Sequence, residues 1–256
     1  MEKNNKDSIT AIIIAVIIAF LYISGLPSAL FIKVEILDID WISITLFINI
    51  IFSMMLGLFL IKKFIPKFDV GFQTKNFITG LKKYGISCII TLILFTTAFT
   101  IGLYPFDYSP SIRKVIFEGI VYIIGVGIIE EFFCRGLLQN ALTKIFKNNH
   151  LKAILITSLL FGLGHIFGIT NMPFILAASK VLWAVGLGIY FGAIYYLTNN
   201  LWLAAILHFI INLSGLPFNF STSSVYPTHS AVIILITSIF LSIYSIYLIR
   251  NKDASN

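Results

Sequence analysis

The stretch ISITLFINIIFSMMLGLFLI, from Ile42 to Ile61, decides the class of this chain. It runs for twenty residues without a charge, about the length an α-helix needs to cross a hydrocarbon core of roughly 30 Å. Further apolar runs lie at Ile9 to Leu26, Tyr84 to Leu103, Val115 to Leu138, Leu151 to Phe167, Ala177 to Thr198, Leu201 to Leu213 and Ala231 to Ile249. Lipid offers no water to backbone N–H and C=O groups, so uninterrupted apolar spans fold as helices. The expected fold is all-α: a polytopic integral membrane bundle of about eight transmembrane helices, with residues 1–256 forming one membrane domain.

Composition agrees. Hydrophobic residues make up 58% and charged residues 11% of the 256, against about 25% charged in a soluble domain. The net charge of +7 is read as attraction to lipid headgroups, since no basic stripe with interleaved aromatics marks a nucleic-acid binder. Counted across eight spans, thirteen lysines and arginines fall on one side and four, including Lys180, on the other. Arg135 within the membrane completes the eighteen. By the positive-inside rule both termini face the cytoplasm of a multi-pass cell-membrane protein. In the first run Lys3 and Lys6 are balanced by Glu2 and Asp7, which suits a retained helix better than a signal peptide. Cys88 and Cys134 read as buried thiols. The connection from Lys62 to Lys83 carries Phe64, Phe68, Phe72 and Phe77, and fits either an interfacial amphipathic segment or a plain cytoplasmic loop. No internal repeat or separate soluble domain is visible.

Ionisable groups inside a bilayer cost about 2.5–3.5 kcal/mol each on insertion scales, so those retained usually serve a function. Three clusters qualify. In GVGIIEEFFCRGLLQN, Gly125 to Asn140, Glu131 and Arg135 share a helical face in the favoured acid-first order. Glu130 points about 100° away. Glu131 is thus held ionised while Glu130 is left free, in an apolar setting that suits a general base; a purely structural ion-pair network is the alternative. In FGLGH, Phe161 to His165, Phe161 and His165 share a face and two glycines permit a close helix approach. In HFIIN, His208 to Asn212, two polar groups one turn apart suit either an oxyanion or interhelical hydrogen bonds. His150 and His229 read as solvated. Gly188 and Gly192 form a G-x-x-x-G pair that reads as helix packing within the chain.

The ordered series E-E-x-x-x-R, F-x-x-x-H and H-x-x-x-N resembles the CAAX-protease and bacteriocin-processing family, intramembrane proteases that include the Ras-converting prenyl protease and lysostaphin-resistance-like proteins. The resemblance covers about Val115 to Leu213, a catalytic core of 115–213. It implies an intramembrane endopeptidase in which Glu130 and His165 activate water, His208 and Asn212 form the oxyanion hole, and Glu131, Arg135 and Phe161 support them. Bacteriocin immunity, leader processing and CAAX-type C-terminal processing are the implied roles, on a peptide or protein substrate in the lipid bilayer. No cofactor is required by this chemistry. Zinc is the alternative, with Glu130, His165 and His208 as its ligands, although the H-E-x-x-H helix of the zincins is absent. A non-catalytic immunity or scaffold protein and an ion- or proton-coupled transporter are the rival readings.

The helix ends implied by hydropathy conflict with a shared site. At 1.5 Å per residue, Glu130 lies about 12 Å from the helix end at Leu138, and His165 about 21 Å from the helix start at Leu151. Either the fifth helix starts later or tilts, or these ends are displaced by a turn or more.

Overall fold

The computed structural model describes residues 2–30, 39, 41–101, 111–168, 174–216 and 228–255. These form a helical bundle. The helices are α1 (Glu2–Ser24), α2 (Leu26–Ala29), α3 (Trp41–Phe64), α4 (Phe77–Ile101), α5 (residues 112–145), α6 (His150–Gly164), α7 (Phe174–Thr198), α8 (Leu201–Asn212) and α9 (Thr228–Ser255). Helix α5 alternates its winding: Gly119–Gly125 and Phe132–Gln139 are π-helical, with α-helical Val126–Glu131 between them. Such wide turns are rare and cluster at functional sites.

Local chemistry sets the helix boundaries. Ser111, Asn149 and Asn200 start α5, α6 and α8, each side chain accepting a hydrogen bond from the backbone N–H three residues on, the usual way of satisfying an orphan donor at a helix start. Lys147, Asn148 and Asn199 take positive φ just beyond α5 and α7, where a left-handed residue stops helical winding.

Large apolar side chains on the outer helices stay uncovered. Phe20, Met55, Ile86 and Phe240 are each more than half exposed, a belt that lipid accounts for and water does not. Helices α1, α3, α4, α7 and α9 are long and apolar enough to span a membrane. Helix α5 and the shorter apolar α6 and α8 complete the bundle among the described residues, in keeping with the expected polytopic helical membrane fold. Helix α7 is the central one: 56% of its most apolar window is buried, against 28% for α1, α3 and α4.

The connection after α3 departs from both expectations. Lys82 and Lys83 belong to α4, and residues 65–76 are neither an amphipathic helix nor a free loop. Ile65, Phe68 and Val70 are buried, Leu201 N–H donates to the Gly71 carbonyl at 2.8 Å, and Asn200 Nδ2 donates to the carbonyls of Gln73 and Lys75. Phe72 packs between Phe132 and Trp202. The segment is a strap because its own polar backbone finds partners in the α7–α8 turn. His150 also differs from expectation. It is partly buried and stacks on Tyr196 with ring centroids 4.1 Å apart. His229 is exposed as expected, but in the first turn of α9 rather than in a loop.

Candidate active site

The depth conflict vanishes with the true helix ends. Helix α5 continues through Ile145, fifteen residues beyond Glu130, and α6 begins at His150, fifteen residues before His165. Both residues therefore lie about 22 Å from the same end of the bundle. Polar residues at the end of α5, Gln139, Asn140, Thr143 and Lys144, hide those last two turns from a hydropathy reading.

Glu131 sits at the centre of a closed network. Neither Glu131 nor Arg135 is exposed at all. Arg135 Nη1 donates to Glu131 Oε1 at 3.1 Å, as the spacing predicts, and Nη2 donates to the Gly188 carbonyl at 2.9 Å. Glu131 Oε1 also pairs with His208 Nδ1 at 2.8 Å. Because an ionised carboxylate only accepts, this contact places a proton on Nδ1. Aromatic rings enclose the group: Phe161 lies 4.8 Å from the Arg135 guanidinium and edge-on to both His165 and His208, while Phe191 stacks on His208 at 4.6 Å. Phe161 thereby joins all three motifs.

Small residues make the network possible. A Cβ at Gly127 would lie 3.1 Å from the Ala205 carbonyl oxygen, so α5 and α8 approach closely one turn before Glu131 and His208. A Cβ at Gly188 would meet Ser158 at 2.9 Å, and one at Gly192 would meet Gln139 Oε1 at 2.8 Å; the G-x-x-x-G pair is packing within the chain. Gly162 is likewise crowded, by Val185 and the Val181 carbonyl, but nothing lies within 4 Å of a Cβ at Gly164. Of the two glycines expected to permit a close approach, only Gly162 does so.

Glu130 faces the other way, as its place one residue before Glu131 predicts, into a cavity of about 770 Å³ lined also by His165, Tyr22, Cys134 and Lys180. It is not free of partners, which corrects the sequence reading. Tyr22 Oη of α1 donates to Glu130 Oε1 at 3.3 Å, and His208 Nε2 lies 3.8 Å from Oε2. The tyrosine comes from a helix more than a hundred residues away, which spacing along α5 does not reveal. His165 Nδ1 contacts the Phe161 carbonyl at 2.8 Å; a carbonyl only accepts, so Nδ1 carries the proton and Nε2 keeps its lone pair. Asn212 ends α8, partly buried, and does not line the cavity. Cys88 and Cys134 are buried free thiols. Lys180, counted from sequence among the flanking charges, instead lies on the cavity wall.

Among the described residues no three His, Cys, Asp or Glu side chains converge as a metal site, while the Nδ1 contacts of His165 and His208 with Phe161 and Glu131 leave Nε2 of each available, as in metal-ligating histidines.

Residues 112–214, spanning all three motifs, match the family described as type II CAAX prenyl endopeptidase Rce1-like. The match supports assigning this core to the CAAX-protease and bacteriocin-processing family. That is a family of intramembrane proteases, and every motif residue read from the sequence falls within the matched segment. No curated protein matches the chain. Helices α1, α3 and α4 lie outside the match, yet α1 and α3 supply one wall of the cavity.

Proposed function

We propose that the chain is an intramembrane endopeptidase that hydrolyses peptide bonds with a water activated by Glu130 and His165. The observation that carries this reading is the convergence of these two acceptors, from different helices and at equal depth, on one cavity. A volume of about 770 Å³ is within the range of roughly 300–1,000 Å³ typical of ligand sites.

In this mechanism Glu130 takes a proton from water as the oxygen attacks the scissile carbonyl, while His165 Nε2 accepts a hydrogen bond from the same water and orients it. The carbonyl oxygen becomes an oxyanion. His208, whose Nδ1 proton goes to Glu131, offers Nε2–H to that oxygen when it is an imidazolium, and a second donor from Asn212 requires movement at the end of α8, because Asn212 does not line the cavity. Glu130 then returns its proton to the leaving amine, so no acyl-enzyme forms. Glu131, Arg135 and Phe161 hold His208 and the backbone of α5 in place. No step needs a metal, and the substrate is a peptide or protein at the membrane. CAAX-type C-terminal processing and bacteriocin-linked immunity or leader processing are the proposed roles, with both termini in the cytoplasm.

The test is cleavage of a quenched fluorescent peptide library by detergent-purified protein, for wild type, Glu130→Gln and His165→Ala, with and without chelator. Cleavage lost in both variants and resistant to chelation is the expected result. Equal cleavage by all three proteins, or none by wild type, would sink the reading and move the scaffold and transporter forward.

A further inference from the structure

Lys180 stands six residues into α7, on the wall of the cavity that also holds Glu130 and His165. It is partly buried and feels the charge of the Glu130 carboxylate across the cavity, but among the described residues it makes no hydrogen bond or salt bridge. Most of the surrounding wall is apolar, with Ala15, Ile42, Leu46, Phe133 and Leu160 among its residues. An ammonium in such a place is costly to insert, by about 2.5–3.5 kcal/mol. The proposed chemistry does not use it, because an ammonium cannot accept a proton from water and Glu131 already has Arg135 and His208. What a compact cation in a mostly apolar cavity can do is bind an anion brought in with the substrate.

We propose that Lys180 is a specificity-determining residue that binds a carboxylate of the peptide substrate, with apolar neighbouring side chains seated on the cavity wall. This rests on the peptidase reading and extends it. When the scissile carbonyl lies between Glu130 and His165, the carboxylate at Lys180 sets which bond is presented and in which direction the peptide runs. The carboxylate has two sources, the substrate's C-terminus or an Asp or Glu side chain, and the experiment separates them.

Binding is measured by fluorescence anisotropy on Glu130→Gln protein in nanodiscs, so that no probe is consumed. The probes are three labelled apolar peptides of one sequence: a free C-terminal acid, its C-terminal amide, and the amide with glutamate as last residue. A charge-assisted contact predicts at least about tenfold tighter binding of an acidic probe than of the plain amide. Adding Lys180→Met abolishes that preference, and Lys180→Arg retains it. Preference for the free acid alone identifies the terminus; preference for the glutamate probe identifies a side chain. Equal binding of all three probes, binding of none, or a preference that survives Lys180→Met overturns the proposal. Cleavage assays on protein with Glu130 intact separate this failure from that of the parent reading. Activity that depends on Glu130 and His165 but ignores the carboxylate keeps the peptidase and removes Lys180. A Lys180-dependent preference in a protein that cleaves nothing does the reverse.

Discussion

Glu130 and Glu131 are neighbours in sequence and opposites in environment. Glu131 is fully enclosed and divides one oxygen between Arg135 and His208. Glu130 keeps a partly open side chain on a cavity, with a long hydrogen bond from Tyr22 and His208 Nε2 at 3.8 Å among its neighbours. One turn of a helix can therefore carry both the anchor of a fold and the proposed base of a reaction. The difference is rotational: consecutive residues of α5 point in different directions, and the close approach at Gly127 closes only one of them. A carboxylate that holds structure together is poor at giving up its partners, and one that does chemistry must keep room for water.

The contrast can be broken by experiment. The largest effect is expected for Glu130→Gln, with peptide cleavage lowered by about 10²–10⁴-fold and the melting temperature in detergent unchanged; a large drop in stability would show that both glutamates are structural. Glu131→Gln should do the opposite. Removing one partner leaves the Arg135 charge buried and uncompensated, a loss of about 3–5 kcal/mol to be read from denaturant unfolding in mixed micelles. Stability within error of wild type would mean the network carries little energy. Next comes the glycine contact that seats Arg135. Gly188→Ala forces a methyl group against Ser158 and should cost about 1–3 kcal/mol, while Gly119→Ala, with nothing within 4 Å of its Cβ, should leave the melting temperature alone. Similar behaviour of the two variants would remove the packing role given to Gly188. The smallest effect sharpens the Glu130 side: Tyr22→Phe deletes one hydrogen bond of about 0.5–1.5 kcal/mol, so kcat/KM should fall by roughly 2–10-fold with stability retained. An unchanged kcat/KM would detach α1 from the site.

The legible parts of this protein are those governed by local rules. Uncharged runs of some twenty residues announce membrane helices whatever their neighbours are. The four-residue step from Glu131 to Arg135, and from Phe161 to His165, places each pair on one face of one helix. Boundaries are less legible. The end of α5 is polar yet helical, since its side chains reach the strap and α7: Asn140 Nδ2 donates to the Asp69 carbonyl and to Tyr195 Oη, and Gln139 Nε2 to the Gly192 carbonyl. Hydropathy cannot register partners of that kind. The strap escapes a sequence reading for the same reason, its polar backbone being paired with a distant turn.

From the sequence alone came the membrane class, the helical bundle and most of the polar residues that meet at the cavity, because composition, helical period and the cost of charge in lipid act through neighbours along the chain. Tertiary structure alone decided that Glu130 and His165 lie at one depth, that Tyr22 and His208 attend Glu130, that Phe191 backs His208, and that Lys180 turns into the cavity rather than toward the membrane surface. Those contacts join segments up to 108 residues apart. They depend on where helices end and how closely glycines let them approach, to within the few ångströms over which a hydrogen bond exists or fails.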